Sequence, residues 1–341
     1  MAQQKQLQVA IGGASGETGM SIVNALLDSP DRFDVIALVR PESASKPVYQ
    51  DIASRGVSIK IVDFKDIEAL TGILEGVDIV ISCLTVEQMA EEHALIDASH
   101  AAGVGRFVPS FFAVVCPPRG VLDLRSIKED FLDRCKRLYL PYTAIDIGWW
   151  FQSSLPLVPS KRLDTQISLP DTILGLDGNV PTAVTDVSDI GKYVARIIAD
   201  PRTLNKLVFA YGEVTTQNKV WASVEEATGE TIPRSYLSKE EAEATMVELK
   251  EVVSNNHADL PSLYKLTMTA YKYTTVIRGD NTPERAAYLG YLNAKLLYPD
   301  VQCKSIKAFV SEIVEGSRSA VVYQDRPEHP ITKMRGKGTK R

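Results

Sequence analysis

Cysteine is scarce in this chain. The four present, Cys83, Cys116, Cys135 and Cys303, are scattered without paired spacing, which excludes a disulfide-stapled scaffold or a zinc cluster and reads as reduced thiols in an intracellular protein. Histidine is as sparse: His93, His100, His257 and His329 lack metal-ligand spacing, so no metal site is expected. Long apolar runs are missing, and no window suffices for a membrane helix or the core of a signal peptide. The first residues lead straight into an apolar strand, so a cytoplasmic location is expected. Positive charge is not in excess either. Lys and Arg number 38 against 43 Asp and Glu, a net charge of −5 with no basic stripe, which argues against a general nucleic-acid binder. The local exception is the end of the chain, where Arg326, Lys333, Arg335, Lys337, Lys340 and Arg341 stand against Glu328 alone. Polar, glycine-bearing and terminal, residues 326–341 are expected to be a disordered, solvating tail.

What is present is enough for a large core: 341 residues, 45% of them hydrophobic, suit one domain plus a smaller second region. The most informative segment is Leu-Gln-Val-Ala-Ile-Gly-Gly-Ala-Ser-Gly-Glu-Thr-Gly, residues 7–19. An apolar strand runs into Gly13, Gly16 and Gly19 and then into a helix with Ile22, Val23, Leu26 and Leu27 on one side. Such glycines let the backbone approach a pyrophosphate, whose charge then sits at a helix N-terminus. The spacing G-x-x-G-x-x-G points to the extended, short-chain-dehydrogenase side of Rossmann folds. Ser15, Glu17 and Thr18 within the loop join the glycines as expected cofactor contacts.

A second apolar run, residues 35–39, stops at Arg40, where dinucleotide folds place the residue that faces the adenosine ribose. Arg40, with Ser43 and Lys46 behind it, suits a ribose phosphate through charge-assisted hydrogen bonds, whereas a carboxylate there would repel one. The expected cofactor is therefore NADP(H). Asp63 and Phe64, just past the third strand-like run, complete the expected cofactor contacts.

Strand-like runs at 57–62, 77–83 and 106–109 alternate with helical patterns at 67–74 and 87–102, which specifies a parallel sheet with helices on both faces. A helix at 124–139 feeds a strand at 142–147. After Trp149 the alternation weakens and prolines intervene, so the division expected is an NADP-binding Rossmann domain at 1–150, a smaller, mostly helical substrate region and lid at 151–325, and the basic tail. Helices are expected at 186–198, 239–253, 260–275 and 282–297, the last two forming a lid over the carboxyl ends of the sheet.

On a helical wheel Leu124, Ile127, Phe131, Leu132, Cys135 and Leu138 make one apolar arc, and Lys128 falls inside it rather than on the charged face. Burial there would lower its pKa toward the range useful for proton transfer; a lysine snorkelling from the rim is the alternative. Phe111, Phe112, Trp149, Trp150 and Phe151 cluster near the expected substrate mouth and suit a flat apolar or aromatic ligand. A strand alternates faces, so at least two of these rings are expected to belong to the core.

The glycine loop together with Asp189-Ile190-Gly191, the run Asp-Pro-Arg-Thr-Leu-Asn-Lys at 200–206 and Leu-Tyr-Pro-Asp-Val at 297–301 resembles the isoflavone reductase-like branch of the NmrA-like family, atypical short-chain dehydrogenases. The resemblance spans about residues 7–314. It implies a catalytic lysine on the helix preceding an Ile/Leu-Pro-Tyr-Thr strand entry, and counting back from Leu140-Pro141-Tyr142-Thr143 gives Lys128. It also implies that Arg40 is the NADP-phosphate arginine. Two departures stand out. Pro109-Ser110-Phe111-Phe112-Ala113 replaces the family's Pro-Ser-Glu-Phe-Gly, which argues against plant phenylpropanoid substrates. The Tyr-x-x-x-Lys pair is absent, since Leu124 stands four residues before Lys128.

The function expected first is NADPH-dependent reduction of a small carbonyl, imine or activated double bond in specialised metabolism. A redox-neutral rearrangement with bound NADP as hydride shuttle, and a non-enzymatic NADP-sensing regulator, remain alternatives. The expected partner is a small molecule rather than nucleic acid or membrane, with a homodimer left open.

Overall fold

The computed structural model describes residues 6–256 and 259–323. Its centre is a parallel sheet built from β1 (Leu7–Gly12), β2 (Phe33–Val39), β3 (Ser58–Ile61), β4 (Ile79–Ser82) and β5 (Arg106–Val108), in the order β3-β2-β1-β4-β5. Between the strands run α1 (Glu17–Leu27), α2 (Pro47–Ser54), α3 (Ile67–Leu74) and α4 (Met89–Ala101). This is the doubly wound Rossmann arrangement. Strands covered on both faces need apolar side chains at every position, and the two-residue period then divides them between two cores. Val9 and Ile11 of β1 pack with Ile22, Leu26 and Val35, whereas Ala10 packs on the opposite side with Leu38, Leu70 and Leu95. Each fully buried aliphatic side chain of this kind contributes roughly 1.5–3 kcal/mol.

The chain continues through α5 (Asp123–Arg137) to β6 (Thr143–Asp146), β7 (Trp149–Trp150), β8 (Leu174–Gly175), β9 (Thr182–Thr185), α6 (Ile190–Ile197), β10 (Lys206–Phe209), β11 (Glu213–Thr215), α7 (Gln217–Thr228) and β12 (Tyr236–Leu237). Then come α8 (Lys239–Asn255), α9 (Leu260–Lys272), α10 (Pro283–Tyr288), β13 (Tyr291–Asn293), α11 (Ala294–Leu297) and α12 (Ile306–Val314). Two sequence expectations need correction here. The division at residue 150 does not end the sheet, because Phe107 pairs with Tyr142, and β6 then pairs in parallel with β10, which pairs in parallel with β13. The expected helix at 282–297 is broken: Gly290 adopts φ +86° and residues 291–293 are drawn into the sheet edge as β13. A left-handed glycine ends a helix readily, and β10 supplies the partner.

Most of the motifs carrying the family resemblance hold this sheet together. A Cβ at Gly191 would lie 2.0 Å from the Ser21 carbonyl oxygen, so only glycine lets α6 press against α1. The buried Arg106 guanidinium donates to the carbonyls of Ile197 and Asp200 and to the Thr203 hydroxyl, and the Tyr298 hydroxyl donates to Asp200. The remaining chain forms a second core, with Phe151, Leu155, Trp221 and Phe309 under α7 and α12. It carries short strands as well as helices. The basic tail at 326–341 lies outside the described residues.

Candidate active site

The carboxyl ends of β1, β4 and β5 and the face of α9 enclose a cleft of about 480 Å³. The glycine loop contributes Gly16, Glu17, Thr18 and Gly19 to its wall. Gly13 has φ +77°, and a Cβ there would lie 2.6 Å from the Cys83 carbonyl oxygen; at Gly19 it would lie 2.2 Å from the Gly13 carbonyl oxygen. Those two glycines are required by the turn itself. Gly16 differs. It has the ordinary extended conformation φ −78°, ψ 169°, and stands at the N-cap of α1 with no side-chain cap. An uncapped helix N-terminus at the bottom of a cleft fits a pyrophosphate.

The other expected cofactor contacts divide. The Ser15 hydroxyl accepts from the Tyr49 hydroxyl at 3.0 Å, tying the loop to α2. The Glu17 carboxylate accepts the Tyr323 backbone N–H at 2.6 Å, and the Tyr323 ring lies 6.0 Å from that of Trp150, so Tyr323 is itself part of the cleft wall. Arg40 follows β2 directly, with its Nε 3.2 Å from a carboxylate oxygen of Glu42 and its side chain 43% exposed. Lys46, exposed like Arg40, caps α2. Asp63 and Phe64 follow β3: the exposed Asp63 carboxylate accepts the Lys65 N–H within its own turn, and the Phe64 ring is buried in the core beside Leu38 and Leu70. An apolar ring directly after a sheet strand is drawn beneath the neighbouring helix rather than left at the cleft.

Lys128 of α5, which also lines the cleft, is buried, and its ammonium donates to the Ser110 carbonyl. Burial, assisted by the nearby Arg125 charge, lowers its pKa to about 8. Ser110 is itself fixed: its N–H donates to Glu92 at 3.0 Å and its hydroxyl to the Leu84 carbonyl at 2.6 Å. Glu92, on α4, also accepts from the Ser82 hydroxyl. Desolvation raises the Glu92 pKa against the lowering effect of these hydrogen bonds. One turn before Lys128, the fully buried Arg125 pairs with Asp146 at 2.7 Å and donates to the Val114 carbonyl. The Tyr291 hydroxyl donates to the other Asp146 oxygen at 2.6 Å. Two buried carboxylates thus hold the loop at 110–114 that forms the floor beneath Lys128.

Of the expected aromatic mouth, Phe112, Trp149 and Trp150 line the cleft. Phe111 and Phe151 belong to the core. Phe111, where the resemblance expects a carboxylate, is fully buried with the Arg125 guanidinium 4.9 Å from its ring centre, and Phe151 packs against Phe309. The remaining wall comes from α9, through Tyr264, Met268 and Tyr271, the last with its ring 5.0 Å from Trp149. Sequence reasoning missed Glu92, because α4 has no clear amphipathic pattern to mark a buried acid. Arg125 was findable, since it lies three residues before Lys128 on the same arc.

Exchange of the exposed Arg40–Glu42 pair for a ribose phosphate leads to a first expected result. The protein should bind NADPH more tightly than NADH, and Arg40→Ala should reduce that preference by roughly tenfold or more, the worth of a charge-assisted hydrogen bond at a partly exposed site. Calorimetric affinities for both dinucleotides check this. Equal affinities in the unmodified protein would remove Arg40 from cofactor selection.

Among the described residues no helix is long and apolar enough to cross a membrane, and no His, Cys, Asp or Glu group is arranged to hold a metal. The NmrA-like family model matches residues 5–117. An asnovolin J 5′,6′-dehydrogenase of Aspergillus novofumigatus is 40% identical, over 94% of this chain and 100% of that protein. A phenylcoumaran benzylic ether reductase of Nicotiana tabacum is 28% identical over 90% of this chain and 98% of its own. Among solved structures, the leucoanthocyanidin reductase–NADPH complex of Vitis vinifera superposes with a TM-score of 0.74 at 22% identity, covering 90% of this chain and 99% of that one.

Proposed function

The chain belongs to the NmrA-like family, in its isoflavone reductase-like branch, and from that premise we propose that it reduces a small apolar or aromatic metabolite with NADPH, Lys128 handling the proton. It is an NADP(H)-dependent oxidoreductase. The observation that carries the finer reading is one cleft lined by both the glycine loop and the buried Lys128.

Gly13, Gly16 and Gly19, with the N-terminus of α1, would hold the pyrophosphate, and Arg40 with Lys46 the ribose phosphate. When bound, the cofactor supplies a hydride for a carbonyl, imine or activated double bond, or in its oxidised form accepts one. Lys128 is placed to hold or release a proton at Nζ. Its hydrogen bond to the Ser110 carbonyl sets where the ammonium points, and Glu92 fixes Ser110 in turn. Trp149, Tyr271 and Met268 form an apolar wall that excludes water and accepts a flat ring system.

The reverse direction is the second reading, favoured by the dehydrogenase name of the 40% identical relative. The two differ in the sign of their pH dependence. Reduction needs the ammonium form of Lys128, so its rate should fall as pH rises through about 8. Oxidation needs the neutral amine and should rise over the same interval. Incubation with NADPH, then with NADP+, against a panel of aromatic carbonyl, imine and enone compounds and their reduced forms tests both, with nicotinamide absorbance and product mass as readouts. Product formed without net cofactor oxidation or reduction, or cofactor binding without any product, would overturn the proposal.

A further inference from the structure

Behind Trp149 lies a second cavity, of about 290 Å³, that the reaction proposed above does not use. It shares Trp149, Ser153, Leu169, Tyr264 and Met268 with the main cleft, so the two adjoin along one wall. Its far side comes from β9, β11 and the start of α7, where Val184 and Val220 are apolar and Thr215 and Gln217 polar.

The charges lining it cancel. Lys272 pairs with Asp171 and donates also to the Ile173 carbonyl at 2.9 Å. Gln217 donates to the second Asp171 oxygen at 2.6 Å, and its own amide oxygen accepts the Gly175 N–H at 2.8 Å. The carboxylate is therefore occupied, whereas an ammonium has three protons and this one has two acceptors, leaving a donor over. Two residues of the same wall, Ser153 and Thr215, are largely buried, and their hydroxyls make no hydrogen bond among the described residues. Hydroxyls that line a cavity and have no protein partner are free to hydrogen-bond a molecule held there.

We propose that this cavity is a second arm of the substrate site, which takes a neutral oxygen function, a ketone, lactone or hydroxyl, carried on a ring remote from the reacting carbon. The inference rests on the oxidoreductase reading of the main cleft. Neutrality follows from the cancelled Asp171–Lys272 charges, and an acceptor oxygen from the donors left over. Apolar walls from Trp149, Val184, Val220 and Met268 suit a ring rather than a chain of polar groups. The substrate is then an elongated molecule of more than one ring, with an oxygen function at the end remote from the reacting group.

The test uses the full chain saturated with NADP+ and labelled with 5-fluorotryptophan, three positions in all, followed by fluorine NMR. The probe is δ-valerolactone, with toluene and benzoate as apolar and charged controls. The lactone should shift the Trp149 resonance saturably and bind more tightly than benzoate. In the Ser153→Ala, Thr215→Val double variant its affinity should fall on the order of tenfold, the effect of losing hydrogen bonds to a neutral group, while toluene is unaffected. Ser153 lines both cavities and Thr215 the second alone, so Thr215→Val is also measured by itself, and a loss of lactone affinity there reports that the probe sits in the second cavity. Retained NADPH affinity in the variant reports an intact fold. Lactone affinity unchanged by the two substitutions, absence of saturable binding, or preference for benzoate would each overturn the second arm. An unmodified protein that fails to bind NADPH would instead overturn the oxidoreductase reading.

Discussion

Replacing Lys128 by methionine is expected to lower turnover by roughly 10²–10⁴-fold while changing NADPH affinity far less, because a general acid acts at the transition state. Methionine keeps the length of the side chain and removes the ammonium. Its thioether is tolerated where the lysine is buried, since desolvation already penalises the charge there. What is lost is the proton held at the Ser110 carbonyl, in a position fixed by Glu92. The pH dependence should vanish with it, the inflection near pH 8 being absent from whatever activity remains. A variant with weakened NADPH binding and unchanged turnover at saturation would make Lys128 a ribose contact instead, and an unchanged rate on the true substrate would remove it from the mechanism altogether.

The second large effect is expected at the glycine loop, where three glycines that look alike in sequence should answer differently to substitution. Gly16→Val should abolish measurable NADPH binding with little loss of folded protein. Its backbone conformation is open to any residue, and the added side chain falls at the uncapped start of α1, on the cleft wall. Gly19→Val should instead yield little folded protein, because the first added carbon would stand 2.2 Å from the Gly13 carbonyl oxygen, backbone that cannot yield. Circular dichroism and calorimetric titration on both variants separate the cases. NADPH affinity retained in Gly16→Val would reduce the loop to an ordinary turn.

Glu92 and Asp146 show why part of the site escaped sequence reading. Glu92 stands between Glu91 and His93 and Asp146 between Ile145 and Ile147, and each acquires its role only when a distant segment arrives. Ser110 comes to Glu92 from 18 residues away, and Tyr291 to Asp146 from 145. The aromatic cluster tells the same story. Strand alternation required that some of the five rings be core, but which ones followed from partners: Arg125 claimed Phe111, Phe309 claimed Phe151, and α9 brought Tyr271 to Trp149.

By itself the sequence determined the features set by local spacing and chemistry. These were the parallel sheet, from unbroken apolar strands; the tight turn after β1, from glycines three apart; the charge at the end of β2; and a lysine on the apolar arc of α5. Periodicity and turn chemistry act over a few residues, so they can be read one segment at a time. Only the tertiary structure decided that residues 206–209 and 291–293 return to the sheet, that Phe64 is buried, and that a second cavity adjoins the cleft at Trp149. Those outcomes depend on which segments meet across long stretches of chain, and burial and pairing energies are fixed only once they have met.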